Sequence, residues 1–207
     1  MDRFSTPSWQ VLLIGGNSGA GKSTAARAIG LGFGIPWLPA DDLRLTLEWN
    51  FTAAHRPALH HFDDLSRVYR NPPEQVAAWR IAVAEETSRG IEIVVANHTS
   101  HGDPAVIEGD DLVPALAARR AFAGLDVEPG VVRAVFLIED DPEVIEANMR
   151  TRGRSFIDRS PAEQRTQARA SRLYGRWLAE EASRCDLPAL PPRPFDTLVA
   201  RILAAVE

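Results

Sequence analysis

The chain alternates between short, continuous apolar runs and longer stretches in which apolar residues recur every three or four positions. Residues 9–14, WQVLLI, form an apolar run with β-branched members, which is typical of a buried parallel strand. Residues 131–138, VVRAVFLI, form the clearest later strand. Shorter runs at 34–38, 105–107 and 187–190 predict three more strands, so five are expected in all.

The longer stretches between these runs predict helices. From Arg80 to His98, a repeat of three and four positions favours one helix over residues 73–101, although 91–96 would suit a strand in composition. Asp141 precedes a proline and a glutamate and begins another helix as an acidic N-cap. Ser160 and Glu163, at capping-box spacing, begin a helix that runs to about residue 184. The remaining predicted helices are 25–30, 43–49, 112–123 and one from about 195, and 50–69 is predicted to be irregular.

Strands and helices therefore alternate along the chain. This order predicts an α/β fold, a three-layer sandwich in which helices cover both faces of a central, mainly parallel five-stranded sheet. The clusters of proline and glycine between the elements are too short to be domain linkers. We therefore expect residues 1–207 to form a single domain.

Composition narrows the range of partners. Hydrophobic residues make up 45% of the chain, enough for a core, and the net charge of −5 argues against an electrostatic nucleic-acid binder. No apolar run approaches the roughly 20 residues needed to span a bilayer, and residues 1–10 lack a secretory pattern. We expect a cytoplasmic monomer or homodimer with no membrane or nucleic-acid partner. Cys185 is the only cysteine, so an intrachain disulfide is excluded.

The only lysine lies in a glycine-rich segment, in a chain whose other 22 basic residues are all arginine. Residues 16–23, GNSGAGKS, satisfy the phosphate-loop pattern G-x-x-x-x-G-K-[ST], between a predicted strand and a predicted helix. Backbone N–H groups of such a loop and the following helix N-terminus point at phosphate oxygens. Lys22 would reach the β- and γ-phosphates, and the Ser23 hydroxyl would bind Mg²⁺. The predicted phosphate-binding residues are Gly16, Asn17, Ser18, Gly19, Ala20, Gly21, Lys22, Ser23 and Thr24.

Phosphate loops occur in switches, motors, transporters and kinases, and several of these classes can be tested. A small GTPase needs Asn-Lys-x-Asp to bind guanine, and a chain with one lysine in its phosphate loop cannot contain that motif. The transporter signature Leu-Ser-Gly-Gly-Gln is absent, and residues 106–108 only weakly match the apolar run ending in Asp-Glu of ring-forming ATPases.

The size, the N-terminal loop, Asp41 after the second strand and the arginine-rich segment near the C-terminus resemble the P-loop small-molecule kinases. These include shikimate and gluconate kinases, chloramphenicol phosphotransferase and 2-phosphoglycerate kinase. The stretches DDLR at 41–44 and IEG at 107–109, the latter followed by LVP, are similar to stretches of 2-phosphoglycerate kinase. The resemblance implies transfer of a phosphoryl group from ATP, with Mg²⁺, to a hydroxyl of a small-molecule acceptor. A nucleotide kinase and a nucleotide-binding switch with little turnover remain alternatives.

Two aspartates follow the second predicted strand. Because ligands of open α/β sheets bind beyond the carboxyl ends of the strands, Asp41 and Asp42 are expected on the same rim as the phosphate loop. Asp41 could accept the proton of an attacking alcohol, and Asp42 could bind substrate. Alternatively, one of the two simply caps the next helix. Further candidates for substrate binding are Arg44, one turn beyond Asp41, and Glu108 and Asp110 after the third strand. The two acidic residues could instead hold Mg²⁺ through water, and ordinary surface roles are the alternative for all three.

The segment 150–160 is predicted to be a lid over the reacting phosphates. Its arginines could stabilise the charge of the transferring group, and Arg150 and Arg154 are the favoured candidates. Arg193, between prolines, could flank adenine as the equivalent loop does in the resembled kinases. Residues 49–72 are predicted to cover the substrate, with Trp49 and Phe62 as pocket-lining candidates. A partly packed surface loop is the alternative for this segment, and its histidines match no standard metal spacing.

Overall fold

The computed structural model describes residues 4–153 and 156–207. Within them, a five-stranded sheet has the order β2-β3-β1-β6-β7, and all four neighbouring pairs are parallel. The strands are β1 Val11–Gly16, β2 Trp37–Pro39, β3 Ala105–Glu108, β6 Val132–Leu137 and β7 Ala189–Leu190, while β4 Ala121–Phe122 and β5 Leu125–Asp126 form a separate antiparallel hairpin. The predicted parallel sheet is thus confirmed.

Helices cover both faces of the sheet. They are α1 Lys22–Phe33, α2 Ala40–Asn50, α3 Leu65–Val68, α4 Pro73–His101, α5 Pro114–Ala117, α6 Pro142–Arg152, α7 Pro161–Arg184 and α8 Leu198–Val206. The helix α4 spans the 29 residues that its three-and-four repeat predicted, so residues 91–96 are helical. Short 3₁₀ turns occupy Pro57–Phe62 and Phe195–Thr197.

The strand β1 separates two hydrophobic cores. Since successive side chains of a strand point to opposite faces, Leu12 and Ile14 pack with α1 and α8 on one side, and Leu13 packs with α4 and α7 on the other. All six residues of β1 are buried. This arrangement confirms the three-layer sandwich, because the continuous apolar run of β1 supplies both cores at once.

One predicted helix is wrong. Residues 112–123 form only the four-residue helix α5, and the chain then turns through the β4–β5 hairpin. Ala123 and Gly124 adopt positive φ angles of 48° and 80° at this turn. Glu92 of α4 accepts a hydrogen bond from the Ala123 backbone N–H, and Phe122 is fully buried in the α4 core. Burial of Phe122 and the Glu92 contact therefore override the local helix propensity.

The ends of β1, β2 and β3 lie together at one edge of the sheet, where they deliver the phosphate loop, the start of α2 and Glu108. The segment 50–69, predicted to be irregular, contains a 3₁₀ turn and the helix α3, and both pack against α4. No helix in the described part of the chain is long and apolar enough to cross a membrane.

Candidate active site

The phosphate loop connects β1 to α1 and depends on glycines in unusual backbone conformations. Gly16, Gly19 and Gly21 have φ angles of +138°, +84° and +80°, which L side chains rarely adopt. A Cβ on Gly16 would also overlap the backbone of Leu137 on β6. The loop ends at Gly21, so α1 begins with Lys22 and directs its N-terminus at the loop. The local geometry is that of an anion-binding turn.

Lys22 is buried, with 5% of its surface exposed, and its ammonium group lies inside the loop. Its Nζ donates to the Asn17 carbonyl oxygen at 2.8 Å and pairs with Asp110 Oδ1 at 2.5 Å. The Ser18 hydroxyl donates to the other oxygen of Asp110. Burial acts to raise the pKa of Asp110, but Lys22 and Arg80 outweigh it and hold that pKa below its usual range. Asp110 is therefore a carboxylate at neutral pH.

Asn17 supports the loop through its side chain. The side-chain amide is fully buried, donates to the Glu139 carbonyl oxygen at 2.9 Å and accepts from the Glu139 N–H at 3.0 Å. These two bonds tie the loop to the residues after β6. The Asn17 side chain therefore stabilises the loop, and a phosphate would be bound by the backbone N–H of Asn17 rather than by its amide group.

Ser23 and Glu108 form the part of the site that fits a divalent cation. The Ser23 side chain lies close enough to Glu108, which is buried at the end of β3, to lower the pKa of that carboxyl group. Burial raises the pKa of Glu108, although Lys22 and Ser23 oppose the shift. Mg²⁺ in phosphate-transfer sites takes one or two protein oxygens and completes its shell with phosphates and water, and this hydroxyl and carboxylate fit that pattern. Across residues 4–153 and 156–207, no cluster of three or more His, Cys, Asp or Glu could hold a metal ion.

The two aspartates of α2 differ in what they face. Pro39 is the N-cap residue of α2, so neither Asp41 nor Asp42 caps this helix. A cavity of about 860 Å³ opens over the phosphate loop, and both aspartates line it. We call it the loop cavity. A second cavity of about 440 Å³ lies beside it between α2, α4 and α7, and of the two aspartates only Asp41 reaches its wall. Both volumes are in the range of small-molecule sites.

The second cavity is the arginine cavity, because Arg44, Arg80 and Arg159 all line it. Arg80 Nη2 pairs with Asp111 Oδ1 at 2.7 Å, and Arg44 Nε lies 3.4 Å from Asp111 Oδ2. Asp111 is fully buried, and burial raises its pKa to about 6 against the opposing effect of the two guanidinium groups. The carboxylate is therefore ionised at neutral pH and holds both arginines toward the cavity.

Arg80 and Asp111 were not among the residues predicted from the sequence. Arg80 belongs to the three-and-four repeat of α4, where every neighbouring position of the repeat is apolar or small. A charged residue on the buried stripe of a helix needs a partner of opposite charge. An arginine among apolar positions was therefore the sequence feature that could have identified Arg80 as a site residue. Asp111 carried no signal beyond its place in the acidic turn after β3.

In the segment predicted to be a lid, the arginines that line the loop cavity differ from the predicted Arg150. The Arg150 guanidinium donates to Glu146 at 2.7 Å and to Gln164 at 2.8 Å, so it points along α6 and toward α7. Among the described residues of the predicted lid, Arg152 and Arg159 line the loop cavity and Arg150 does not. Arg159 also lies over the Tyr69 ring, 4.6 Å from its centroid. Arg154, the other predicted catalytic arginine, lies outside the described residues.

Other predicted contacts differ from the structure. Arg193 pairs with the buried Glu139 at 3.1 Å, and Phe195 and Leu198 line the loop cavity on that side instead. Trp49 is 91% exposed and lines neither cavity, whereas Phe62 reaches the arginine cavity as predicted. Of the histidines, His60 bonds Asp63 and the Phe51 carbonyl oxygen, and His61 stacks on Trp79, in agreement with a packing role for this segment.

Neither a protein-family model nor a curated protein sequence matches this chain. Among solved structures it is similar to a gluconokinase from Sinorhizobium meliloti 1021, with 17% identity over 99% of this chain and 93% of the gluconokinase, and a TM-score of 0.44. A shikimate kinase from Bacteroides thetaiotaomicron is 12% identical over 94% of both chains, with a TM-score of 0.46. A deoxyadenosine kinase from M. mycoides is 14% identical over 94% of this chain and 97% of its own, also with a TM-score of 0.46.

Proposed function

We propose that the protein is a single-domain, ATP- and Mg²⁺-dependent kinase that transfers the γ-phosphoryl group to a hydroxyl of a small molecule. One observation carries the proposal: Asp41 lies on the wall of both the loop cavity and the adjoining arginine cavity. A carboxylate at the junction of a phosphate site and a second pocket is suited to activate an acceptor.

The nucleotide phosphates bind in the loop cavity. Backbone N–H groups of the loop and the Lys22 ammonium hold the β- and γ-phosphates, and α1 directs its N-terminus toward them. Ser23, with Glu108 beside it, would hold Mg²⁺. When bound, this cation neutralises charge on the β- and γ-phosphate oxygens.

The acceptor binds in the arginine cavity with its hydroxyl toward Asp41. Asp41 accepts the hydroxyl proton, the acceptor oxygen bonds to the γ-phosphorus, and the bond from that phosphorus to the bridging oxygen of ADP breaks. Asp42, on the loop cavity alone, contributes to binding rather than to proton transfer. Arg152 and Arg159 approach the same space and stabilise the charge spread over the transferring group.

The guanidinium groups of the arginine cavity can bind an anionic group of the acceptor, even though four carboxylates line the same cavity: Asp41, Glu48, Asp63 and Asp110. Guanidinium groups match carboxylates and phosphates in planar, bidentate geometry, and Arg44 and Arg80 stand side by side on this wall. The side chains of both are about four-fifths buried, which strengthens such contacts relative to surface ones. We therefore assign Arg44 to substrate binding together with Arg80.

The test is ATP consumption with and without a panel of small alcohols, in matched pairs that carry or lack a carboxylate. We expect turnover that depends on an acceptor and favours its charged member. Asp41→Asn should lower kcat at least about 100-fold and leave ATP affinity within about twofold, because only the proton acceptor is lost. Asp42→Asn, the matched control, should lose less.

Two results would count against the proposal. Full turnover by Asp41→Asn rejects Asp41 as the base. Normal ATP binding with no acceptor-dependent turnover across the panel indicates a nucleotide-binding switch instead of a kinase.

A further inference from the structure

The phosphate loop already contains an anion supplied by the chain itself. Asp110, two residues beyond the end of β3, reaches into the loop with both carboxylate oxygens. Oδ1 pairs with Lys22 Nζ at 2.5 Å, and Oδ2 accepts from the Ser18 hydroxyl. Both partners belong to the loop that is expected to hold phosphates, so the carboxylate lies where a phosphate oxygen would be bound.

A γ-phosphate bound to Lys22 would compete with the Asp110 carboxylate for the positive charge of the ammonium group. The Lys22 ammonium group is buried and donates a hydrogen bond to the Asn17 carbonyl oxygen. Its positive charge is already paired with the Asp110 carboxylate. A triphosphate brought to the same ammonium would lie beside an unpaired carboxylate, and repulsion between like charges is strong where water is largely excluded. This repulsion favours departure of the Asp110 carboxylate from Lys22 when the phosphate binds.

Asp110 has a second cation within reach. Arg80 Nη2 lies 3.9 Å from Asp110 Oδ2, on the wall of the arginine cavity, and it is already paired with Asp111. The backbone of Asp110 is also held, because the Tyr174 hydroxyl donates to its carbonyl oxygen. The side chain can therefore turn from Lys22 toward Arg80 while the main chain stays in place.

We propose that Asp110 is an internal occupant of the phosphate site, which ATP displaces from Lys22 when it binds. The inference rests on the proposed ATP site and adds that this site is self-inhibited. ATP affinity is set by competition with Asp110, and the displaced carboxylate moves to the side of Arg80, which lines the acceptor pocket. Asp110 thereby links occupancy of the two cavities.

The experiment measures ATP binding by calorimetry, without acceptor, for the wild-type protein and Asp110→Asn. The amide keeps the size of the side chain and removes the competing charge, so we expect ATP to bind about tenfold more tightly to the variant. The measurement is made both with Mg²⁺ and with EDTA. Tighter binding in both conditions supports displacement, since a carboxylate that served the cation would give weaker binding with Mg²⁺.

The control is Glu92→Gln, which removes one negative charge as Asp110→Asn does. Glu92 lies on α4, pairs with Arg119 and lines neither cavity. The ATP affinity of this control should stay within about twofold of the wild-type value, so a general effect of net charge is separated from displacement. Asp110→Ala is measured as well, in case the asparagine variant does not fold.

Unchanged or weaker ATP binding in the Asp110 variants overturns the inference, as does an equal gain in Glu92→Gln. Absence of ATP binding in every protein overturns it together with the proposed function. Tighter ATP binding by the Asp110 variants, without acceptor-dependent turnover in the wild type, would keep the inference and reject the kinase activity.

Discussion

At the scale of single residues, two arginines that line the arginine cavity share one carboxylate, that of Asp111. Asp111 is fully buried, and its contacts come from α2 and α4 at once, through Arg44 and Arg80. Removing one partner of such a buried pair leaves a charge without compensation. The position of both arginines therefore depends on this carboxylate.

The pH dependence of stability tests the state of Asp111. Burial raises its pKa from 3.8 to about 6, so its contribution to the free energy of unfolding is fully present below pH 4 and is lost as pH rises through 6. The wild-type free energy of unfolding minus that of Asp111→Asn should thus fall by roughly 2 kcal/mol between pH 4 and pH 7.5. Urea unfolding at a series of pH values measures this difference. A difference that rises with pH would mean that the arginines outweigh burial.

The position of residues that belong to a motif or to the rim of the sheet was predictable from the sequence, since Lys22, Ser23 and Asp41 all line the loop cavity. Lys22 and Ser23 follow from the phosphate-loop spacing, and Asp41 follows from its place after a parallel strand. The sequence favoured Arg150, whereas Arg152 lines the loop cavity in the structure, because the outcome depends on how α6 lies against α7. Gln164 of α7 accepts a hydrogen bond from Arg150, and Arg152 is left facing the cavity.

At the scale of elements, α7 holds the phosphate loop from behind. Gly175 of α7 faces the Asn17 side chain, and a Cβ on this glycine would lie 2.9 Å from Asn17 Cγ. Asn17 cannot give way easily, since both of its hydrogen bonds to the Glu139 backbone are buried. A helix on one face of the sheet thus sets the position of the loop.

Gly175→Ala should therefore destabilise the fold by about 1 to 3 kcal/mol and weaken ATP binding, because overpacking forces the loop to shift. Gly90→Ala in α4 is the matched control. Its Cβ would meet only the flexible end of Leu47 at 3.2 Å, and alanine is favoured over glycine in a helix, so this variant should be at least as stable as the wild type. Thermal unfolding and ATP titration measure both effects. Equal behaviour of the two variants would show that contact with Asn17 does not constrain the loop.

Elements with a long, uninterrupted pattern were predictable, and the short ones were not. The repeat in α4 extends over most of a 29-residue helix, so local and tertiary preferences agree there. The alanines of residues 112–123 favour a helix, but the chain forms the β4–β5 hairpin at the end of this segment. The hairpin buries Phe122 in the core, and the local composition does not indicate its turn. Such a choice is made by the surrounding core rather than by the segment.

At the scale of the whole molecule, the sheet order brings the functional side chains to one edge. The strand β1 supplies the phosphate loop, β2 leads into Asp41, and β3 ends in Glu108, so three neighbouring strands deliver their polar ends side by side. The two cavities then meet at Asp41. The loop cavity and the arginine cavity therefore share part of their wall, and Asp41 and Asp110 are the carboxylates on that shared part.

The central claim, that a phosphoryl group passes from ATP to a small molecule, is tested most directly by following that group. The protein is incubated with ATP carrying an isotopically labelled γ-phosphoryl group and a mixture of small molecules, and the products are identified by mass spectrometry. The account predicts a labelled phosphate ester of one class of anionic alcohol with the wild-type protein, and none with Lys22→Ala, because Lys22 holds the transferred group. Label recovered only as unchanged ATP or as inorganic phosphate would contradict it.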